Sequence, residues 1–317
     1  MFMMDVAPKE WINEEQVKYF DLCEFVSKIK LKENVLYHMQ DTSEEFEKYL
    51  KELAFFSEYD DYTMLYYWLD DAVKEIRSSI EIENNTYGNK ELLKGDLFFD
   101  SLQVNHARLK RIHKFICDNS VVNSEHPGEY RKKDINVGAQ INGKYQVYWY
   151  PPKNEDVKRF MDSYIQFYQT NSMKDTYNNP FIKSALAHLL FVRVHPFDDG
   201  NGRTSRILQN LCFTSSINKL YGTKLKLSPL NISQNIVRNR YSYVDKLNRI
   251  HFDMEHDNND IINSWFDYIL SMYDEQLFFQ STKLPSLKKF VESGERPLVE
   301  NMEKIVKTSN IKKLKKL

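Results

Sequence analysis

Apolar positions along the chain recur mainly at helical spacing. Leu65, Trp68, Leu69, Ala72, Val73, Ile76 and Ile80 follow an i, i+3, i+4 pattern that predicts a helix over 60–83. Asn84-Asn85-Thr86-Tyr87-Gly88-Asn89 stops it. Polar-faced helices are expected around 13–31 and 43–56, with Asp41-Thr42-Ser43-Glu44-Glu45 capping the second. Further helices are predicted over 91–118, 154–170, 203–220, 232–250 and 258–278. Phe181, Ile182, Ala185, Leu186, Leu189 and Leu190 mark another, which Pro196 ends by excluding the α region at His195. The histidine is therefore expected in extended geometry. Residues 135–137 and 145–150 read instead as a β-hairpin around Asn142-Gly143. Leu284-Pro285 and Arg296-Pro297 bracket a short helix before a basic amphipathic end, Lys312-Lys313-Leu314-Lys315-Lys316-Leu317. The pattern is that of an all-α protein with one small hairpin.

Composition narrows the classes. A chain of 317 residues has room for one large domain or two modest ones, and nine glycines with nine prolines favour long helices. A net charge of −1 supplies no global field for nucleic acid or an anionic membrane. Cys23, Cys117 and Cys212 are scattered without CxxC spacing, as reduced thiols of a cytosolic protein would be. Met1-Phe2-Met3-Met4-Asp5 lacks the regions of a signal peptide, and apolar runs fall short of a membrane span. A cytoplasmic location is the expectation. Gly138-Ala139-Gln140-Ile141-Asn142-Gly143-Lys144-Tyr145 comes within one residue of a P-loop but fails. Tyr145 replaces the hydroxyl needed on Mg²⁺, and a strand-like stretch follows where a helix should open.

The chemistry concentrates in His195-Pro196-Phe197-Asp198-Asp199-Gly200-Asn201-Gly202-Arg203-Thr204-Ser205-Arg206, a polar loop between two helices. Gly200 and Gly202 can take positive φ and curl main-chain N–H groups into an anion-binding nest at a helix N-terminus. Arg203 and Arg206 share one face of that helix, where a polyanion would offset their conflict with the dipole. Asp199 offers one hard oxygen ligand, which suits Mg²⁺ shared with phosphates. His195 can act as a base near neutral pH, and Phe197 is expected to anchor the loop in the core. His106, His113, His251 and His256 show no metal-ligand spacing; His188 is expected to pack or orient the loop. Glu83 falls on the apolar face of the 60–83 helix and in its last turn, two conflicts that a specific cationic partner would settle.

The run resembles the signature of the Fic family, H-P-F-x-D/E-G-N-G-R-x-x-R, at every fixed position. Ala185, His188 and Phe191, Gly128-Glu129-Tyr130-Arg131 and Pro151-Pro152 resemble its neighbouring landmarks, and the resemblance spans residues 75–270. It implies a mainly helical Fic fold and a protein adenylyltransferase. That activity moves AMP from ATP to a Tyr, Thr or Ser hydroxyl of a target protein. By resemblance, Gly200, Asn201 and Gly202 would hold the α-phosphate, Asp199 the Mg²⁺, Arg203 the β-phosphate side and Arg206 the γ-phosphate. His195 would be the base, and Tyr243 would lie beside the adenine. Ser79-Ile80-Glu81-Ile82-Glu83-Asn84 resembles the family's inhibitory motif, S/T-x-x-x-E-G/N, in which Glu83 pairs with Arg206. The hairpin resembles the family's flap, so Tyr145, Val147 and Tyr148 would clamp the target segment by main-chain pairing.

The expected organisation is an N-terminal helical region over 1–118 that includes the inhibitory helix, a catalytic core over 119–275, and a C-terminal helical tail over 276–317. Partners would be ATP, a target protein and, as an open option, a second copy of the chain. Membrane and nucleic acid are not expected. Removal of AMP from a modified hydroxyl, transfer of another nucleotide or phosphate group, and a silent interaction scaffold stay open as alternatives. Gly202 argues against the kinase-like Doc branch, where a lysine usually stands.

Overall fold

The computed structural model describes residues 21–54, 71, 74, 75, 77–79, 81, 82, 102–118, 126–141, 143–170, 175–225, 227–250 and 258–293. The elements are α1 (Leu22–Lys28), α2 (Glu33–Ala54), α3 (His106–Asp118), β1 (Val137–Ile141) and β2 (Lys144–Trp149). A single 3₁₀ turn (Asn154–Asp156) leads to α4 (Val157–Gln169), α5 (Asp175–Asn178), α6 (Pro180–Val194) and α7 (Asn201–Tyr221). The described chain closes with α8 (Ser233–Arg238), α9 (Arg240–Arg249) and α10 (Asn259–Glu292). Residues 71, 74, 75, 77–79, 81 and 82 are also helical. The fold is mainly α with one hairpin, as the apolar pattern predicts.

α6 is the centre of the fold. It is buried along its whole length, Lys183, His188 and Arg193 included, as expected of a helix apolar on every side. The Asn179 carboxamide accepts from the Phe181 and Ile182 amides and Pro180 occupies the first turn, so its start is fixed locally. α7 lies along it, and α4 and α10 flank it. α2 packs on α10 and sends Phe46 between Phe181 of α6 and Phe213 of α7, each ring 5.6 Å away. Burying one such ring contributes about 1.5–3 kcal/mol. The N-terminal helices thus complete the core. His38 fastens α2 to α10, with Nδ1 2.7 Å from Asp267 and Nε2 2.7 Å from Asp274. Burial opposes the charge on His38, but the two carboxylates outweigh it and raise its pKa.

Several boundaries differ from the sequence expectation. α2 starts at Glu33, so Asp41 to Glu45 lie inside it and cap nothing. Thr42 Oγ1 sits 2.8 Å from Asp274, and the Ser43 hydroxyl donates to the Met39 carbonyl, so helix and tertiary contact absorb the polar atoms. α1 is capped instead by Asp21. α3 starts at His106, because the Asn105 carboxamide accepts from the Arg108 amide. The 232–250 helix is two helices, broken at Asn239 (φ −115°, ψ 30°). α10 runs past the expected end at 278, through Pro285, to Glu292. Pro285 is exposed, on the side of the helix where the bond it cannot make is least costly. The residues of the expected helix 60–83 that carry its apolar pattern, and the basic end, lie outside the described residues.

β1 and β2 pair antiparallel from Ile141↔Lys144 back to Val137↔Trp149, with a bulge between Val137 and Gly138. The first strand is therefore 137–141 and not 135–137. A two-residue turn pairs 141 with 144, and the register follows from there, helped by Gly143 at φ 76°. Gly138 is required. A Cβ there would stand 2.0 Å from the Gln146 carbonyl oxygen.

Candidate active site between helices α6 and α7

His195 ends α6, but not in the extended geometry expected. Its φ of 49° and ψ of 59° are left-handed, unique among the described non-glycine residues. Pro196 excludes the right-handed helix at His195, whose amide still closes the last turn of α6 on the Phe191 carbonyl (3.1 Å). The imidazole Nδ1 lies 3.0 Å from the Val192 carbonyl. A carbonyl only accepts, so Nδ1 carries the proton and Nε2 presents a lone pair. Trp149, the last residue of β2, meets the ring edge-on at 5.6 Å and carries the Arg193 guanidinium at 4.0 Å.

The loop is stapled from within and from α3. The Asn201 carboxamide accepts from the Phe197 amide (3.0 Å) and donates to its carbonyl (2.8 Å), which ties the loop across its own turn. Phe197 is fully buried and stacks on the His113 ring at 3.7 Å. His113 Nδ1 accepts from the Gly128 amide, and Nε2 donates to the Asp199 carbonyl at 2.8 Å. Burial, then the Arg203 charge, lowers its pKa, which keeps this neutral form. Gly200 has φ 77°, but Gly202 is helical, so the chain enters α7 through one positive-φ glycine and not two. The first amides of α7 still lack helix partners, as at any helix start.

Arg203 is buried and donates to Asp199 Oδ2 at 2.8 Å, while the Asp199 side chain remains half exposed. Arg206 is buried outright. Its Nε donates to Ser79 Oγ (2.8 Å), one amine to the Ser79 carbonyl (2.7 Å) and the other to Tyr243 Oη (3.1 Å). Tyr243 donates in turn to His188 Nε2 at 2.9 Å, and His188 Nδ1 to Gln209 at 2.6 Å. Burial draws the His188 pKa down to about 3, the state this chain of donors requires. Tyr243 is thus a buried link between Arg206 and the core, whereas Tyr241 is exposed. Glu83 lies outside the described residues.

On the hairpin, Tyr145 is exposed, Val147 half-buried and Tyr148 buried. Their side chains therefore do not share one face. The sequence reading missed three contributors. His113 shows only as a histidine on an amphipathic helix. Arg131, within Gly128-Glu129-Tyr130-Arg131, donates from Nε to the His195 carbonyl at 2.9 Å. Glu75 is buried and accepts from the Ser233 amide and hydroxyl and from Asn210. Asp71, Glu75, Ser79 and the main-chain carbonyl of Ile82 stand at helical spacing, so a polar stripe shares the inward face. Its partners are Gln280 of α10, Ser233 of α8 with Asn210 of α7, Arg206 of α7 and Arg240 of α9.

A family model described as the Fic/DOC family matches residues 103–213, from the approach to α3 into α7. The stretch that carries the site is a Fic/DOC-family domain. The chain is 28% identical over 142 residues to a protein adenylyltransferase Fic of Aedes aegypti, 45% of this chain and 22% of that protein. It is 37% identical over 83 residues to the protein of the same name from Drosophila melanogaster, 26% of this chain and 15% of that protein. The matches thus span about a fifth or less of those relatives' length. Among solved structures, a Fic family protein from Desulfovibrio desulfuricans G20 superposes with a TM-score of 0.54 at 14% identity, covering 80% of this chain and 76% of that one. That likeness shows the fold. Among the described residues no helix is long and apolar enough to cross a membrane.

Proposed function

We propose that this chain is a protein adenylyltransferase that moves AMP from ATP to a Tyr, Thr or Ser hydroxyl of a target protein. The observation that carries it is His195, whose Nδ1 faces the Val192 carbonyl and leaves Nε2 as the basic nitrogen, on the same short loop as Asp199 and just before the α7 N-terminus that carries Arg203 and Arg206. The Gly200 turn and the first amides of α7 would cradle the α-phosphate, with Gly202 and the Asn201 main chain among them. Arg203 would steady the β-phosphate side, and Arg206, once freed, the γ-phosphate. His195 Nε2 takes the proton from the target hydroxyl as its oxygen bonds the α-phosphorus. The bond to the pyrophosphate oxygen breaks, and pyrophosphate leaves. Positioning and charge neutralisation are what such a transfer mainly needs.

Mg²⁺ fits the donors present. Asp199 keeps a half-exposed carboxylate with one oxygen on Arg203, and no cluster of three or more His, Cys, Asp or Glu forms a cage among the described residues. A single carboxylate suits an ion shared with substrate phosphates, which would neutralise the charge developing on them. Tyr243, sealed behind Arg206, is read as support for that arginine and as a wall toward the adenine. The hairpin would receive the target segment along its edge, with Tyr145 outermost and Val147 and Tyr148 behind it.

In the described state Arg206 is engaged by Ser79, which favours a self-inhibited enzyme in which Glu83 completes the block. The test is incubation of wild type, Glu83→Gly and His195→Ala with α-labelled ATP, Mg²⁺ and a lysate. Label on protein should be strong with Glu83→Gly, faint with wild type and absent with His195→Ala, whose ATP affinity stays within about twofold. Equal labelling by all three refutes the base and the inhibition together. Absence of ATP binding leaves the loop unused and the chain a scaffold.

A further inference from the structure

Left-handed backbone costs an L-residue with a Cβ about 1–2 kcal/mol. Pro196 removes the right-handed alternative but leaves the extended one, which the sequence alone predicts for His195. In that extended form ψ would move from 59° to between +120° and +160°, turning the His195 carbonyl by roughly 60–100°. The accompanying change of φ from 49° to negative values would carry the ring away from the Val192 carbonyl. Some group outside α6 must therefore favour the observed geometry.

We propose that Arg131 is the positioning residue that holds the His195 main chain in its left-handed form and couples it to the end of the hairpin. Its Nε donates to the His195 carbonyl at 2.9 Å, and its own amide donates to the Pro196 carbonyl at 2.9 Å. One residue thus grips both carbonyls around the proline. The other arms of the fork reach the Lys133 carbonyl at 3.1 Å and the Pro152 carbonyl, three residues beyond the end of β2 at Trp149. The side chain is fully buried, and the Asp134 carboxylate stands 4.0 Å away and half exposed. Arg131 is therefore used for the shape of its fork on main-chain carbonyls more than for its charge, and a lysine cannot reproduce that. Trp149 gives the hairpin a second contact, on the His195 ring itself. A hairpin shifted by a target segment would move the Pro152 carbonyl and pull on the base through Arg131.

The test compares wild type, Arg131→Lys and Arg131→Ala in the full chain. Long-range ¹H–¹⁵N correlation of the His195 ring, assigned with His195→Gln and recorded about a pH unit or more above the imidazole range, reads the tautomer without any substrate. Wild type should show protonated Nδ1 and bare Nε2; both Arg131 variants should show averaged nitrogens. Wild-type ring signals in a folded Arg131→Lys overturn the proposal, whatever the activity. The second arm rests on adenylyl transfer and uses the Glu83→Gly background. There Arg131→Lys should lower kcat about 100-fold with ATP affinity within twofold, and added guanidinium should restore part of the rate to Arg131→Ala. Unchanged kcat also overturns the coupling. If the background variant transfers nothing, the functional reading fails while the ring spectrum still decides Arg131. Should Arg131→Ala not fold, Arg131→Lys carries the test.

Discussion

Glu75 anchors the helical stretch that carries Ser79 to the rest of the fold. Its carboxylate accepts from the Ser233 hydroxyl at 2.5 Å, the Ser233 amide at 2.8 Å and the Asn210 carboxamide at 3.0 Å. The N-cap of α8, Ile232, makes no side-chain cap, so Glu75 supplies one from another element. Truncation to Ala strands the Ser233 amide and the Asn210 carboxamide, whose Oδ1 already lacks a partner. Two stranded buried donors cost about 2–5 kcal/mol, partly offset by no longer burying a carboxylate. A net loss of about 3 kcal/mol lowers the docking equilibrium about 100-fold. Native-state hydrogen exchange over residues 74–82 and 233–238 measures this, and protection there should fall by that factor in Glu75→Ala. Glu75→Gln should keep most of it, because Asn210 can flip its amide toward the new donor.

Burial pushes the Glu75 pKa up, against the Ser233 and Asn210 hydrogen bonds and the Arg206 charge. A carboxyl raised in the docked state contributes stability that is full below its ordinary value of 4.5 and lost as pH rises through the raised value. Docking should therefore loosen with rising pH over that window in wild type, and stay flat in Glu75→Gln. Protection unchanged within a factor of two in Glu75→Ala would refute the anchor.

Two further predictions test the scaffold of the site. Gly200→Ala puts a Cβ at φ 77° and 3.2 Å from His113 Nε2, so urea unfolding should show a loss of about 1–3 kcal/mol; an unchanged midpoint would mean that the turn is not as described. Gly138→Ala drives a Cβ into the Gln146 carbonyl at 2.0 Å, so the hairpin amides should lose exchange protection while far-UV dichroism of the helices persists. Hairpin protection equal to wild type would disprove the β1–β2 register.

Much of the site was legible because its chemistry is local. Residues 195–206 are contiguous, so a loop between two helices, a helix N-terminus, a candidate base and a carboxylate can be read without knowing what lies across the core. Ser79 was legible in the same way, through its spacing to Glu83. The misses have one physical origin. His113, Arg131 and Glu75 act on residues that are near in space and distant in sequence, and histidine, arginine and glutamate on helices or loops give no signal of that. The bonds that tie the Asn201 carboxamide to the Phe197 backbone four residues away were likewise not legible from residue type.

The sequence by itself determined the helical class, the single hairpin with its Asn-Gly turn, the loop that carries the chemistry and the family it resembles. Periodicity, turn residues and a contiguous motif are properties of short stretches, and short-range sterics and hydrogen bonding decide them. Only the tertiary structure decided that His195 is left-handed, that Gly202 is helical, that α10 passes through Pro285 and that Arg206 is engaged by Ser79. Each of these is a contest between local alternatives of similar free energy. Partners from other elements, at one to a few kcal/mol apiece, settle it.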